Sequence, residues 1–384
     1  MTPRRIAVVT TSRADYGLLS GLMRAVERDP ALRLQVVAAG SHLSKAFGAT
    51  AREIEADGFR IAARVPTAPS SDSPMAAAVA LGSGVKAFAR ALARLKPDIM
   101  VVLGDRLELL AACSAAVALR IPIAHVHGGE SSEGVLDEQV RHAVTKLAHL
   151  HFAAAEPYRR RLIRMGEDPR RVFNFGAPGL ESLKELEPLT PEDLSRRLRF
   201  DLSMPFAVVT VHPDSLSSGA GRTLRAVLAA LDRRRLRSVL TFAGADAGGR
   251  ALNRILARYA AARPGRAVAV ASLGQRAYLS LLGLAAVVVG NSSSGVIEAP
   301  SLRKPTVNVG PRQDGRLRAP SVIDCAADAA AVSAALGRAL SPAFHARCRG
   351  ANPYGTGRVS ARIAGALKAV KLDGLLVKRF HDGR

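Results

Sequence analysis

Ile99-Met-Val-Val-Leu-Gly-Asp-Arg106 is the stretch of sequence that indicates the fold most directly. Its first five residues are all apolar, which is typical of a strand that is buried on both faces of a parallel sheet. A glycine, a carboxylate and a guanidinium follow at once. Because ligands of open α/β sheets bind beyond the carboxyl ends of the strands, Asp105 and Arg106 are the first candidates for a functional site.

The same pattern extends along the chain on both sides of this stretch. Short apolar runs rich in β-branched residues predict strands at residues 6–10, 34–38, 59–63, 99–104, 121–125, 150–154 and 172–175, and then at 206–211, 238–242, 267–271, 285–289 and 305–309. Segments between them, such as 18–26, 75–95 and 106–119, have apolar residues at helical spacing. This alternation predicts parallel sheets with helices on both faces.

The alternation is interrupted once, at residues 186–193, where two prolines in Leu-Glu-Pro-Leu-Thr-Pro-Glu-Asp indicate a linker or a helix start. A chain of 384 residues is long enough for two domains. We therefore expect an N-terminal α/β domain over 1–188, a C-terminal α/β domain over 189–366 and a basic tail over 367–384.

The composition is strongly basic, with 55 Lys and Arg against 32 Asp and Glu and a formal net charge of +23. This excess raises the possibility of a nucleic-acid-binding protein, but aromatic residues are only 4% of the chain and Trp is absent, which leaves few stacking platforms for bases. No apolar run approaches the roughly 18 residues that a membrane span needs. We expect neither nucleic acid nor membrane as a partner, and we interpret most of the arginines as solvated helix faces.

The cysteines and the N-terminus indicate a cytoplasmic protein. Cys113, Cys325 and Cys348 are far apart and odd in number, which favours reduced thiols over disulfides or a zinc site. The short apolar run at residues 6–9 is followed by polar residues, so we predict a strand there and not a signal peptide.

Titratable residues are grouped after two further strands of the first half. Thr10-Thr-Ser-Arg13 has hydroxyls and a guanidinium at a helix start, which suits an anion, and it lacks the glycine fingerprint of a dinucleotide site. His125-Val-His-Gly-Gly-Glu130 and then Asp137 follow the fifth strand. His127 lies on the same face of the strand as His125, but this spacing is a weak metal signal. We predict acid/base chemistry and no metal.

The second half repeats this arrangement with different residue types. His212 and a proline end an apolar strand, and residues 287–300 run from a buried strand through Asn291, three serines and a glycine into a predicted helix. Free N–H groups, hydroxyls and a helix dipole at that point favour a phosphate. Glu298, about one turn inside this helix, is placed to contact ribose hydroxyls.

Taken together, these segments resemble the hydrolysing UDP-N-acetylglucosamine 2-epimerases, which act at the start of sialic-acid and related nonulosonate biosynthesis. The matching motifs occur in family order over roughly residues 5–325: Ser12-Arg-Ala-Asp-Tyr-Gly17, Gly104-Asp-Arg106, His125-Val-His-Gly-Gly-Glu130, Asp137-Glu-Gln-Val-Arg-His142, Thr145-Lys-Leu-Ala-His149, Val211-His-Pro213, Gly290-Asn-Ser-Ser-Ser-Gly295, Glu298-Ala-Pro300 and Val309-Gly-Pro-Arg-Gln-Asp-Gly-Arg316. The resemblance implies two Rossmann-like domains in a glycosyltransferase-B-like fold, a UDP-sugar in the interdomain cleft, and a homodimer or homotetramer.

The resemblance also implies roles for individual residues. Asp105, Asp137 and His212 fall on catalytic positions of the family, and Glu130 is a further catalytic candidate because His127 stands where animal members carry a catalytic Glu. The substrate- or UDP-binding positions are Arg13, Arg106, His127, Asn291, Ser292, Ser293, Ser294, Glu298 and Arg312. Residues 214–216 depart from the usual Val-Thr after His212-Pro213, which leaves the identity of the sugar open.

The chemistry of such a substrate limits the mechanism. The C2 proton of a UDP-sugar is not acidic, so epimerisation needs either an NAD cofactor or the prior departure of UDP. We predict that UDP departs first and that no cofactor is needed. Its departure gives a 2-acetamidoglucal, which then adds water at C1 and is protonated at C2 from the opposite face. Besides UDP-GlcNAc as substrate, three alternatives stay open: a UDP-2,4-diacetamido-2,4,6-trideoxyhexose, a non-hydrolysing epimerase, and a UDP-sugar glycosyltransferase of the same fold.

Overall fold

The computed structural model describes residues 2–44, 48–71, 73–133, 135–213, 220–244, 248–355 and 357–383. The chain divides into two compact units. Unit 1 consists of Met1–Glu130, Asp137–Lys184 and Tyr354–Arg384, and unit 2 consists of Ser131–Leu136 and Glu185–Pro353.

Unit 1 is built on a parallel sheet of seven strands in the order β3-β2-β1-β4-β5-β6-β7. The strands are β1 (Arg4–Thr10), β2 (Leu32–Ala39), β3 (Ile61–Val65), β4 (Ile99–Leu103), β5 (Ile123–Val126), β6 (Leu150–Ala153) and β7 (Val172–Asn174). The helices between them are α1 (Arg13–Arg28), α2 (Ala51–Ala56), α3 (Pro74–Leu95), α4 (Leu107–Ala118), α5 (Asp137–Leu147), α6 (Glu156–Arg164) and α7 (Gly179–Lys184). Short 3-10 turns cover Gly40–Leu43 and Pro169–Arg171.

The core of unit 1 lies on both faces of this sheet, as the apolar sequence of its strands predicts. Along β1, Ile6 and Val8 belong to one apolar cluster, whereas Ala7 and Val9 belong to the cluster on the other face. Successive side chains of a strand point to opposite faces, so a run without polar residues needs a cover on both sides. Full burial of each large aliphatic side chain stabilises the fold by about 1.5–3 kcal/mol.

Unit 2 has a second parallel sheet, of six strands in the order β10-β9-β8-β11-β12-β13. Its strands are β8 (Phe206–Thr210), β9 (Arg237–Thr241), β10 (Ala267–Val270), β11 (Val287–Gly290), β12 (Thr306–Val309) and β13 (Val322–Cys325). Its helices are α8 (Pro191–Leu198), α9 (Ala220–Arg233), α10 (Gly249–Ala261), α11 (Gln275–Leu284), α12 (Glu298–Ser301), α13 (Ala329–Ala339) and α14 (Pro342–Arg347), with 3-10 turns at Ser293–Gly295 and Pro311–Gln313.

The predicted strands are confirmed in type and order, with ends that differ by one or two residues. The third strand is displaced furthest, to Ile61–Val65, because Phe59 packs edge-on against Tyr16 instead of entering the sheet. Strand β13 is missing from the prediction. It is a short edge strand whose Val-Ile-Asp-Cys sequence has only two aliphatic residues.

The two units differ from the expected domains at residues 131–136 and 185–188, which belong to unit 2, and in the C-terminal segment. Residues 354–366 belong to unit 1 and not to the second domain, because α15 (Ser360–Ala369) packs against α1 and buries Ile363, Ala364 and Leu367 in the apolar cluster beneath it. The tail that follows is also held there. Leu375 is buried, and the Lys378 ammonium donates to the carbonyl oxygens of Thr145 and Ala148 at 3.2 and 2.5 Å.

One helix departs from the expectation that no apolar stretch reaches the length of a membrane span. Among the described residues, α3 has 22 residues and contains an 18-residue window with a mean hydropathy of 1.3, so it is long and apolar enough to cross a membrane by length and composition alone. Its Phe88 and Leu92 are fully buried in the core of unit 1, and it packs along α4. One such helix is weak evidence for a membrane span, and only 22% of its apolar window is buried in unit 1.

Candidate active site

In unit 1, the residue expected to transfer a proton is held by a buried guanidinium. Asp105 follows β4 and Gly104, whose φ of +81° turns the chain sharply at the strand end. Arg141 of α5 is only 1% exposed, and its Nη2 donates to the Asp105 carboxylate while its Nη1 donates to Glu138 at 2.7 Å. A buried arginine is stable only when it is paired, so Asp105 and Glu138 are its counter-charges.

Asp137 lies in the first turn of the same helix, one turn before Arg141. Asp105 and Asp137 were both expected at the site from the sequence, whereas Arg141 and Glu138 had no predicted role. The signal was present in the motif itself, because positions 137, 138 and 141 share one face of a helix.

His125 supports the neighbouring strand and has no nitrogen left for a metal. Its Nε2–H donates to the carbonyl oxygen of Gly104 at 2.7 Å, and its Nδ1 accepts from the Thr145 hydroxyl at 3.2 Å. Complete burial lowers the pKa of the imidazole to about 3, so His125 is neutral at physiological pH. This hydrogen bond holds Gly104, the residue directly before Asp105, in place. Within the described ranges, no group of three or more His, Cys, Asp or Glu is arranged to hold a metal ion.

The loop after β5 brings His127 and Glu130 into direct contact. The His127 Nδ1 and a Glu130 carboxylate oxygen form a short hydrogen bond, and the two residues are 6% and 1% exposed. The glycines between them are required. A Cβ on Gly128 would lie 2.9 Å from the His125 Nδ1, and Gly129 has a φ of +77° with the Tyr158 carbonyl oxygen 2.6 Å from where its Cβ would be.

The ends of β1 and β2 add a polar group that sequence analysis missed. His42 is fully buried between two threonine hydroxyls, with Thr10 Oγ1 2.9 Å from its Nε2 and Thr50 Oγ1 2.8 Å from its Nδ1. Burial lowers the pKa of His42 to about 4, with the nearby Asp15 carboxylate acting in the opposite direction. Because β1, β4 and β5 are parallel neighbours, this group lies at the same sheet edge as Asp105 and His127.

The two arginines expected at this edge begin the helices there. Arg13 is the first residue of α1, directly after the helix cap Ser12. Arg106 is the N-cap of α4, and its Nε lies 3.7 Å from Glu108 Oε2.

In unit 2, two hydrogen bonds join His212, which follows β8, to Asn291, which follows the neighbouring strand β11. The backbone N–H of His212 donates to the Asn291 side-chain oxygen at 2.7 Å, and the Asn291 amide donates back to the His212 carbonyl oxygen at 2.9 Å. Asn291 is fully buried, and its own carbonyl oxygen accepts from Gln313 Nε2 at 2.7 Å and from Arg312 Nη1 at 3.3 Å. The structure thus brings together His212, Asn291 and Arg312, which the sequence places far apart.

The serine loop differs from the helix start that the sequence predicted. Ser293 and Ser294 lie in a 3-10 turn, Ser293–Gly295, which Ser292 caps by accepting from the Ser294 N–H at 3.4 Å. The helix that follows, α12, has four residues and begins at Glu298, which is 7% exposed. A helix this short has little macrodipole, so the anion-binding capacity of the loop rests on its N–H groups and hydroxyls. Residues 214–216 lie outside the described residues.

A sequence model of the family described as UDP-N-acetylglucosamine 2-epimerase matches residues 24–368. The chain belongs to this family. The UDP-N,N'-diacetylbacillosamine 2-epimerase (hydrolyzing) of Legionella pneumophila is 34% identical over 383 residues, which cover 98% of this chain and 99% of the relative. The GDP/UDP-N,N'-diacetylbacillosamine 2-epimerase (hydrolyzing) of Campylobacter jejuni is 36% identical over 326 residues, 84% of this chain and 85% of the relative.

The fold of this 2-epimerase family member is shared with a solved structure. The crystal structure of UDP-GlcNAc 2-epimerase from Neisseria meningitidis bound to UDP-GlcNAc superposes with a TM-score of 0.80. The sequences are 15% identical, and the match covers 94% of this chain and 99% of that one. The prediction of a glycosyltransferase-B-like fold with two parallel-sheet α/β domains is confirmed.

Proposed function

We propose that this 2-epimerase hydrolyses a UDP-2-acetamido sugar with inversion at C2, and that the sugar is N,N'-diacetylbacillosamine rather than N-acetylglucosamine. The observation that carries the choice of sugar is the likeness, over most of both chains, to two hydrolysing enzymes named for that sugar. N-acetylglucosamine, the simplest substrate implied by the sequence motifs, is the alternative.

The proposed chemistry is an elimination followed by a hydration. One carboxylate takes the proton from C2, the C2–H electrons form the C1=C2 bond, and the C1–O bond breaks to release UDP. Water then adds at C1 while a second acid protonates C2 from the opposite face. We assign the two proton transfers at C2 to Asp105 and Asp137. The ion pair with Arg141 favours the charged form of Asp105, which suits the base.

We assign the nucleotide-binding role in unit 2 to the group around Asn291. Arg312 supplies positive charge, and the hydroxyls of Ser292, Ser293 and Ser294 supply donors, as a diphosphate requires. His212, held by Asn291, stabilises the charge that develops on the departing phosphate. Glu298 is proposed to accept from ribose hydroxyls. In unit 1, Arg13 and Arg106 are the proposed substrate-binding cations.

The test is product analysis with the purified full chain. UDP-linked diacetylbacillosamine, GDP-linked diacetylbacillosamine and UDP-GlcNAc are each incubated with the protein in D₂O, and the released sugar is identified by NMR. We expect free 2-epimer carrying deuterium at C2, together with UDP, and faster turnover of the diacetamido sugar. Return of an intact epimerised UDP-sugar, or release that depends on an added acceptor, would contradict the proposal and favour a non-hydrolysing epimerase or a glycosyltransferase.

We further propose a cytoplasmic homodimer or homotetramer. The proposal rests on the family resemblance, and the exposed Met75 and Val79 of α3 are apolar surface that a second copy could cover. Light scattering of the purified chain after gel filtration tests the assembly, and a monomeric mass at micromolar concentration would exclude it.

A further inference from the structure

The contact between His127 and Glu130 defines which nitrogen of the imidazole is basic. An ionised carboxylate only accepts hydrogen bonds, so the proton of the neutral ring lies on Nδ1, which donates to Glu130. The lone pair is then on Nε2. A carboxylate that orients an imidazole through Nδ1 and leaves Nε2 as the base is the arrangement that activates hydroxyl nucleophiles in unrelated hydrolases.

The Nε2 atom of His127 is buried and has no hydrogen-bond partner among the described residues. A buried polar atom without a partner costs about 1–3 kcal/mol, and such atoms in native proteins usually meet water or a ligand. Access to this atom is narrow, because His127 is only 6% exposed. A water molecule can hydrogen-bond to such an atom and satisfy it.

The backbone of His127 provides a second observation. Its φ is +64°, in the left-handed region that non-glycine residues rarely adopt. Such a conformation costs of order 1–3 kcal/mol and is found preferentially at active sites, where the surrounding structure holds it in place. In this chain the left-handed residue comes directly after the end of β5, so the turn that it makes places the imidazole ring at the carboxyl edge of the sheet.

We propose that His127 is the general base for the water that adds at C1, and that Glu130 is its positioning residue and not a proton carrier. The inference rests on the proposed hydrolytic function. In the hydration half, a carboxylic acid gives its proton to C2, the C1=C2 pair forms the new C2–H bond, and water bonds to C1. Nε2 takes the proton that the water loses. Glu130 stabilises the resulting imidazolium, which then returns its proton to solvent.

The test separates the two halves of the reaction in single turnovers, with the full chain in excess over the substrate. His127→Asn is suitable because Asn also tolerates a left-handed backbone. We expect UDP release within about threefold of wild type, a release of free sugar slowed on the order of 10²-fold, and accumulation of 2-acetamidoglucal in step with UDP. Glu130→Gln should give the same accumulation to a smaller extent. His345→Asn, an exposed site on α14, is the matched control and should behave as wild type.

Each result decides the proposal. It is overturned if folded His127→Asn releases UDP and sugar together at the wild-type rate, or if it loses both steps equally with an unchanged melting temperature. If His127→Asn does not fold, Glu130→Gln decides by the same criterion. A wild-type chain that releases no UDP from any of the three nucleotide sugars refutes the proposed function instead, which keeps the two failures apart.

Discussion

Gly290 occupies a position where a single added methyl group should disrupt unit 2. It ends β11 opposite Thr210 of β8, with a φ of +133°. A Cβ at this position would lie 1.9 Å from the Thr210 carbonyl oxygen and 2.7 Å from its carbonyl carbon, whereas a tolerable contact is beyond 3 Å. Both neighbours are backbone atoms, so Gly290→Ala can be accommodated only if β8 and β11 move apart.

The magnitude follows from two contributions. The backbone conformation costs an alanine about 1–3 kcal/mol, and forcing the strands apart costs about 1–3 kcal/mol more, which gives a central value of about 4 kcal/mol. For a domain of this size, that loss lowers the melting temperature by about 8–16 °C. The displacement also reaches Asn291, whose backbone N–H donates to the same Thr210 oxygen at 3.1 Å, so the apparent KM for the nucleotide sugar should rise.

The assay is differential scanning calorimetry of the full chain, with Gly283→Ala as the control. Gly283 lies in α11, has no neighbour within 4 Å of an added Cβ and has no unusual φ, so alanine there should be neutral or slightly stabilising. A Gly290→Ala melting temperature within about 2 °C of wild type would refute the reasoning from backbone contact.

Three further predictions concern charged residues of unit 1. Asp105→Asn should lower the turnover number by on the order of 10²-fold or more and also lower stability, because Arg141 loses one of its two charged partners; kinetics and urea titration measure the two effects. Burial opposes ionisation of Glu167, but hydrogen bonds from His151, Lys146 and Lys378 outweigh it and lower the carboxyl pKa to about 2. The stability from Glu167 is therefore present above about pH 4.5 and lost as the pH falls towards 2, and Glu167→Gln should flatten the acid limb of a plot of melting temperature against pH. Lys378→Met should release the tail, seen as faster amide hydrogen exchange over 370–383.

Each of these has an outcome that would count against it. Wild-type turnover in Asp105→Asn would exclude Asp105 as a proton-transfer residue. The control for loss of charge is Asp373→Asn, which removes an exposed carboxylate. An unchanged acid limb in Glu167→Gln would show that the buried cluster is not what titrates. Unaltered exchange of the tail in Lys378→Met would mean that its other contacts, such as the hydrogen bonds from Arg171 to the carbonyl oxygens of Leu375 and Val377, are enough to hold it.

The fold was predictable because its strands have an unambiguous sequence. A run such as residues 99–103, without one polar residue, has few alternatives to a buried parallel strand. The features that the sequence did not predict are one short strand and one contact between segments that are far apart in the chain. Strand β13 has two aliphatic residues, and no local pattern indicates that α15 returns to pack on α1 after the whole of unit 2.

The candidate site was predictable as a set of positions but not as a set of contacts. Residues after strand ends were found because topology alone places them at one edge. Arg141 was missed because arginine is rarely buried, and only the structure shows its pairing with Asp105. The serine loop was predicted as a helix start, but the chain forms only a 3-10 turn there before the four residues of α12.

The return of α15 to unit 1 has a consequence for synthesis of the chain. The apolar face of α1 is made first, while Ile363 and Leu367, which help to cover it, are made last. Apart from residues 131–136, unit 2 is one continuous segment that can leave the ribosome and fold while α1 still lacks this cover. A nascent chain stopped before residue 360 therefore presents the exposed α1 face that chaperones and proteases recognise.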